Sequence, residues 1–384
     1  MTAQIAPTVS ARATVLLLQD LALEGWKSMD LYAARLCQHL SLVDSRYQVT
    51  APSDYAAISA YPIEGNRMLG LAHRLYTRYL YYPAVLRRYD ADIIHILDHS
   101  YAHLLRGRNP RHTLVTVHDL FPLQVTVRPS TRIRARTALL RWVMRWCARA
   151  ALLIADSDFT AREIVTLMGY PRERIRTVPL GVDERFFAPV ASSCRTQLRD
   201  RLKLPDVPLL LHVGSCVERK NINAIFQVLA RLQAAGIAAY LLQVGGVFTA
   251  AQRYEIERLD LTSQVKQIHY ISDDELPAIY RLADLLIFPS TYEGFGLPVL
   301  EAMACGTPVV AARAASIPEV IGEAGLLAAP DDWDGLAGAA QQIIKERTLR
   351  EELSERGRAR ATSFTWMATA RKVIAVYDEL RQSL

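Results

Sequence analysis

No stretch of this sequence reaches the roughly 18 consecutive apolar residues that a membrane-crossing helix needs. A chain that is 51% hydrophobic must therefore spread its apolar residues over many short segments, and a soluble protein is expected. "ATVLLLQDLALEG" near the N-terminus is too short and too interrupted for a secretory leader. Cysteine is scarce: Cys37, Cys147, Cys194, Cys216 and Cys305 are odd in number and form no CxxC pair. That argues against a disulfide framework and a zinc site, and fits a reducing cytoplasm. There is no helix-turn-helix, zinc-finger or RNP pattern, so nucleic acid is not an expected partner. No carboxylate cluster has metal-ligand spacing; the "DAD" of 90–92 precedes a strand and reads as a helix-to-strand turn. No metal and no resident cofactor are expected. Internal repeats and low-complexity tracts are also missing, which leaves ordinary globular domains.

Lysine is nearly absent from the first half. Residues 1–190 hold 24 Lys plus Arg against 16 Asp plus Glu, and Lys27 is the single lysine among those cations. The remainder holds 21 against 23. Two arginine-rich stretches stand out, 73–89 and 128–150. In the second, Arg134, Arg141, Arg145 and Arg149 share a helical stripe with Trp142 and Trp146 beside it. Arginine interleaved with aromatics suits an anionic membrane surface, so peripheral contact with the inner face of the membrane is one expectation. A solvated helix face with packed tryptophans is the other.

What is there, along all 384 residues, is a regular alternation of short apolar runs with helical patterns. This predicts an α/β fold with parallel sheets. The expected strands are "ATVLLLQ", "DIIHIL", "TLVTVHD" and "ALLIADS" in the first half. "PLLLHVGS", "AYLLQVGG", "VKQIHYI", "DLLIFPS" and "PVVAAR" follow in the second. Pro and Gly punctuation marks 178–189 as a linker.

Ligands of open parallel sheets bind beyond the carboxyl ends of the strands, so residues just after strands are the candidates. After "DLLIFPS" comes "TYEGFGLPVLEAMACG", read as a glycine loop and a short helix ended by Gly306. Gly294 and Gly296 permit an unusual backbone path there. The helix start offers free N–H groups and a positive dipole end to a phosphate. Glu293 and Glu301, eight positions apart, border it. After "PLLLHV" come Gly214 and Ser215, then the cations Arg219 and Lys220, and Asn221 ahead of a helix. His118 and Asp119 follow "TLVTV", and Gly25, Trp26 and Lys27 follow the first strand. Cations neutralise a diphosphate and carboxylates accept hydrogen bonds from sugar hydroxyls; a nucleotide-sugar uses both. Ser272 with Glu275, and Ser316 with Glu319, read as capping boxes. His95 reads as a packed core histidine, His99 and His103 as possible linings of an acceptor site, and Cys305 as a small buried residue.

"HVGSCVERKN", "ISDDELPAIYRLADLLIFPS", "YEGFGLPVLEAMACGTPVV" and "IPEVIGEAGLLAAPDD" occur in order over 211–332. In these the chain resembles the retaining glycosyltransferases of family four (glycosyl transferase group 1). "VTVHDL", "IADSDFTAREI", "VPLGVD" and "FTW" extend the likeness. The resemblance implies the GT-B fold, two facing Rossmann-like domains at 1–181 and 182–364, with 365–384 returning to the first. It implies transfer of a hexose from a nucleotide-diphosphate sugar to a glycan, lipid-linked or small-molecule hydroxyl acceptor, with retention, without metal, in polysaccharide or other glycoconjugate biosynthesis.

By that likeness Glu293 holds donor-sugar hydroxyls and Glu301 the ribose. Backbone N–H groups near Gly294, Phe295, Gly296 and Leu297 meet the sugar and phosphate. Arg219 and Lys220 bind the diphosphate beside the Gly214–Ser215 turn, and Tyr270 and Ile271 lie where the base is read. His118 matches the acceptor-side histidine. Ser215 stands where an arginine is frequent, and Gly25 stands alone where a glycine pair is frequent. The alternatives are a nucleotide-sugar epimerase of the same architecture and an inactive GT-B nucleotide-binding module. A phosphorylase would need a longer chain and a pyridoxal lysine. A glycoside hydrolase would rarely set its acids around a phosphate-type helix start.

Overall fold

The computed structural model describes residues 12–52, 67–124, 131–189 and 192–383. The chain forms two compact α/β units. The first comprises 1–156, 160–178 and 366–384, and the second 157–159 and 179–365.

The first unit carries a six-stranded sheet of β1 (Ala13–Leu18), β2 (Tyr47–Thr50), β3 (Ile93–Ile96), β4 (Thr113–Val117), β5 (Leu152–Ala155) and β6 (Ile175–Thr177), in spatial order β2-β1-β3-β4-β5-β6. Every pairing is parallel. Strands β3, β4 and β5 are buried throughout, which is why they read as continuous apolar runs. Helices α1 (Lys27–Val43), α2 (Arg67–Tyr76), α3 (Tyr82–Leu86), α4 (Thr131–Cys147) and α5 (Asp158–Met168) connect them.

The second unit has strands β7 (Leu209–Gly214), β8 (Tyr240–Gly245), β9 (Val265–Ile268), β10 (Leu285–Phe288), β11 (Val309–Ala312) and β12 (Leu326–Ala328). Their order is β12-β11-β10-β7-β8-β9, again all parallel. Read from the other edge this is the 3-2-1-4-5-6 order of dinucleotide-binding sheets, whose direction of winding reverses between β7 and β10. Helices α6 (Ile222–Ala234), α7 (Leu276–Leu282), α8 (Leu297–Cys305), α9 (Ile317–Ile321) and α10 (Arg347–Ala361) belong here, and α11 (Trp366–Gln382) returns to the first unit.

Three strands, β2, β6 and β12, were not among those expected. All three are edge strands of three or four residues, and none is buried along its whole length. Short half-covered strands leave no long apolar run to read. The return of α11 is held by side chains of the first unit. The ring of His95 lies 2.8 Å from both the Tyr377 and Thr116 hydroxyls, and Tyr47 donates to Asp378 at 2.8 Å. His95 is thus the packed core histidine expected, and burial pushes its pKa down to about 3.

Candidate functional site

The strand reversal between β7 and β10 brings two post-strand loops together. Hydrogen bonds fix them: Thr291 N–H donates to the Arg219 carbonyl at 2.8 Å, and the Asn221 side-chain amide donates to the Pro289 and Pro330 carbonyls at 3.2 and 2.9 Å. Behind them β7 and β8 end in register, Gly214 beside Gly245. A Cβ on Gly246 would stand 2.4 Å from the Cys216 nitrogen, so only glycine lets these two turns touch.

The arrangement joins three of the charged candidates directly. Lys220 Nζ lies 2.5 Å from Glu293 Oε1, and Arg219 Nη1 lies 3.2 Å from Glu293 Oε2. Lys220 and Glu293 are both buried, and the Phe288 ring lies 5.1 Å from the ammonium. One acid between two cations leaves a net positive cluster, as a diphosphate requires. Beneath it His212 sits neutral in β7, its pKa lowered to about 3 by burial, then by Lys220. It donates through Nδ1 to Gln243 Oε1 at 2.6 Å.

Glu301 lies one turn into α8 and accepts from the Tyr280 hydroxyl at 2.7 Å. It keeps some contact with solvent, yet burial of the rest raises its carboxyl pKa to about 7, with Tyr280 and Arg185 opposing. Tyr280 was not singled out from the sequence. It comes from α7, a separate helix, and no local spacing connects the two.

The loop before α8 is held by hydroxyls. Ser157 donates to the Gly294 carbonyl at 2.6 Å, and the Ser316 hydroxyl lies 2.9 Å from the carbonyls of both Glu293 and Phe295. Among the described residues, nothing accepts from the N–H groups of Phe295, Gly296 and Leu297, so they remain available at the helix start. Gly296, with φ +107°, takes the left-handed region, and a Cβ there would meet Ile317 at 2.7 Å. Gly294 has no positive φ, so the unusual backbone expected of both glycines is confined to one. Gly306 closes the helix in the left-handed conformation. Tyr270 is exposed and Ile271 half-buried, both in the loop beyond β9, which ends at Ile268 and not at 271. Ser215 is exposed at the turn after β7.

Both capping boxes need correction. The helix after Ser272 begins at Leu276 with Glu275 as its N-cap, and the Ser272 hydroxyl meets the Glu275 side chain at 2.9 Å across a turn. Ser316 does occupy the N-cap of α9 but makes no side-chain cap, because its hydroxyl serves the 293–295 carbonyls. Glu319 instead accepts from the Asp158 and Phe159 N–H groups at 3.0 Å.

His118 and Gly25 lie in the first unit. Gly25, φ +69°, ends a short turn before α1. His118 contacts acceptors on both ring nitrogens, Asp156 Oδ2 at 2.7 Å and the Leu97 carbonyl at 2.8 Å. Burial alone would lower its pKa, but Asp156, Asp98 and the Leu97 carbonyl raise it to about 9. The protonated ring is thereby favoured, with an acceptor at each nitrogen, while burial raises the Asp156 carboxyl as well. Asp156, missed from the sequence, follows β5 and was findable by the carboxyl-end rule. His103 is buried among Tyr79, Tyr101 and Trp142 and contacts the Arg78 carbonyl at 2.9 Å; it reads as packing. His99 is buried with its Nδ1 3.3 Å from Asp98. Cys305 is buried, and burial pushes its thiol up to about 12.

Two family models match. "Glycosyl transferases group 1" covers residues 195–360 and "Glycosyltransferase Family 4" covers 31–186. O-antigen chain mannosyltransferase B of Escherichia coli is 33% identical over 60% of this chain and 61% of its own length. The MMP alpha-(1->4)-mannosyltransferase of Mycolicibacterium hassiacum is 32% identical over 67% of this chain and 66% of its own. The matched stretches thus fall just under two thirds of each relative. In fold, the chain resembles sucrose-phosphate synthase of Thermosynechococcus elongatus (TM-score 0.76, 23% identity, 97% of this chain and all of that one). It also resembles the Anabaena protein HepE in complex with UDP-glucose (TM-score 0.69, 20% identity, 97% of this chain and all of that one).

Proposed function

The chain belongs to the group 1 glycosyltransferases of family 4, with the GT-B fold, and from that premise we propose that it transfers a hexose from a nucleotide-diphosphate sugar to a hydroxyl acceptor with retention of configuration. The observation that carries this reading is the cluster of Glu293, Arg219 and Lys220 beside three unengaged N–H groups at the start of α8. A diphosphate arriving there takes over the cations and the helix start. Glu293 is then released to accept donor-sugar hydroxyls. Charge that develops on the departing diphosphate meets Lys220 and Arg219, already oriented in a poorly hydrated site. Glu301 accepts from the ribose hydroxyls.

His118 fits the role of a fixed hydrogen-bond and charge partner better than that of a base. In this reading the acceptor's proton passes to the departing phosphate as the bond to the anomeric carbon breaks and the new one forms on the same face. No metal is invoked, since the two cations supply the charge; activity is expected to survive EDTA, and strict dependence on added magnesium or manganese would contradict this. Two relatives are named as mannosyltransferases, which makes a mannosyl donor the first to test. Glycan or lipid-linked acceptors of glycoconjugate biosynthesis fit the same relatives.

The experiment is release of free nucleoside diphosphate from a panel of UDP-, GDP- and ADP-sugars, with and without acceptor. Release with one donor, raised by acceptor, is expected. An interconverted nucleotide-sugar without release would favour an epimerase, and binding with no turnover an inactive module.

A further inference from the structure

A groove of about 1050 Å³ opens in the first unit at the amino ends of its strands. Asp92 directly precedes β3, and Asn109 and His112 precede β4. Ligands of parallel sheets bind beyond the carboxyl ends, where His118 and Gly25 stand. Neither of those residues lines this groove.

One wall is aromatic. The π-helical turn Thr77–Tyr81 directs Arg78 inward, 3.0 Å from Glu24, and gives Tyr79 to the groove. The rings of Tyr79, His103 and Trp142 all meet: their centres lie 4.6 Å apart for Tyr79 and His103, 6.1 Å for Tyr79 and Trp142, and 6.2 Å for His103 and Trp142. His103 is buried, whereas Trp142 stays 37% exposed. The stripe expected from the sequence is thereby split. Trp146 is half-buried against the core, Arg149 lies beyond the end of α4 with its guanidinium over the Trp146 ring, and the Arg134 side chain is outside the described residues. Arg141 and Arg145 remain exposed on α4.

The rest of the lining is polar and balanced in charge. Arg108 is engaged by the Leu86 and Tyr89 carbonyls, at 2.5 and 3.2 Å. Among the described residues, the guanidinium groups of Arg87 and Arg106, one oxygen each of Asp90 and Asp92, and the side-chain nitrogen of Asn109 have no hydrogen-bond partner. All five residues are exposed. Two cations thus face the groove with two carboxylates, which favours neither a polyanion nor a polycation. Sugar hydroxyls use both kinds of group, because each donates and accepts. The C–H face of a sugar ring stacks on an aromatic ring, and Tyr and Trp offer an apolar body with a polar tip.

We propose that this groove binds a neutral oligosaccharide and holds a stretch of glycan chain away from the transfer site. The choice of a glycan rests on the transferase reading, whose acceptors include glycans. A chain held there keeps its growing end at high local concentration between transfers.

Calorimetry in the absence of nucleotide tests it, with neutral tetrasaccharides of mannose, glucose and galactose as probes. The wild type is expected to bind at least one of them, and more tightly than the matching monosaccharide. Trp142→Ala should weaken that binding about tenfold or more through lost stacking. Asp90→Ala with Arg106→Ala should weaken it about tenfold through lost hydrogen bonds to charged groups. Both variants should release nucleoside diphosphate from nucleotide-sugar as the wild type does, which shows that they fold; if Trp142→Ala does not, the exposed polar pair decides. Binding of none of the probes overturns the proposal. Equal binding by the wild type and the polar pair also overturns it, since the sugar then sits elsewhere. A sulfated tetrasaccharide held tenfold more tightly than its neutral counterpart, with the gain lost in the polar pair, would make this an anion site instead. A wild-type dimer that Trp142→Ala dissociates, with sugar binding unchanged, would assign the groove to a second copy. Groove-dependent sugar binding by a chain that turns over no nucleotide-sugar would sink the transferase reading and leave this one standing.

Discussion

At the scale of single residues, the site is held by shared partners. Glu293 neutralises both Arg219 and Lys220, so Glu293→Ala should abolish most transfer while leaving nucleoside diphosphate affinity equal or higher, as both cations are freed. Calorimetry beside a turnover assay separates the two effects, and full activity would refute the assignment. Lys220→Ala should cost the nucleoside diphosphate about 10- to 100-fold in affinity, the scale of a lost charged hydrogen bond, and the free nucleoside far less. Equal losses would show that Lys220 does not meet phosphate. Glu301 must be ionised to accept two ribose hydroxyls, and its pKa is raised to about 7. Nucleotide affinity should therefore rise with pH through about 7. In Tyr280→Phe the carboxylate loses a donor that lowers its pKa, so the midpoint of that titration should move upward. The E-x7-E pair was legible because loop and helix start are contiguous in sequence. The Tyr280 contact to Glu301 and the contacts of Ser157 and Ser316 to the loop were not, because each comes from a distant element.

At the scale of elements, the loop between β10 and α8 depends on one backbone conformation, that of Gly296. Gly296→Ala would place a Cβ at φ +107° and 2.7 Å from Ile317. We expect a loss of about 1–3 kcal/mol in stability, typical of stored backbone strain, and a larger loss in activity because the unengaged N–H groups move. Unchanged urea unfolding with unchanged turnover would contradict it. The central strands were readable as apolar runs, and the edge strands β2, β6 and β12 were not, since pairing on one side lets a strand be short and half-covered. The misplaced capping boxes follow the same logic: Ser-x-x-Glu fits a helix start, but Ser272 belongs to a turn and Ser316 is claimed by neighbouring carbonyls.

At the scale of the molecule, the first unit is built from separated parts of the chain, with α11 contributing the buried Trp366, Val373, Val376, Tyr377 and Leu380. Truncation after Thr365 should unfold that unit while the second retains nucleoside diphosphate binding. One melting transition lost and one kept is the expected calorimetric trace; loss of both would show that the second unit depends on the first. The same unit buries the His118–Asp156 pair. The folded-state pKa of His118, about 9, lies above the ordinary 6.5, so its stabilising contribution is complete below about 6.5 and is lost as pH rises through about 9. The stability gap between wild type and His118→Gln should shrink over that window, as urea unfolding at several pH values would show.

The sequence by itself determined the α/β class, the central strands, the glycine loop before α8 and the charged residues that cluster there. These follow from local physics: apolar runs bury, glycine takes a positive φ at the least cost, and residues after parallel strands gather at one end of the sheet. Only the tertiary structure decided that Glu293 binds both cations, that Tyr280 stands against Glu301, that His118 meets an acceptor at each nitrogen, and that Trp142 lines a groove while Trp146 packs on the core. Each of these depends on which distant segments meet, and a linear spacing carries no record of that.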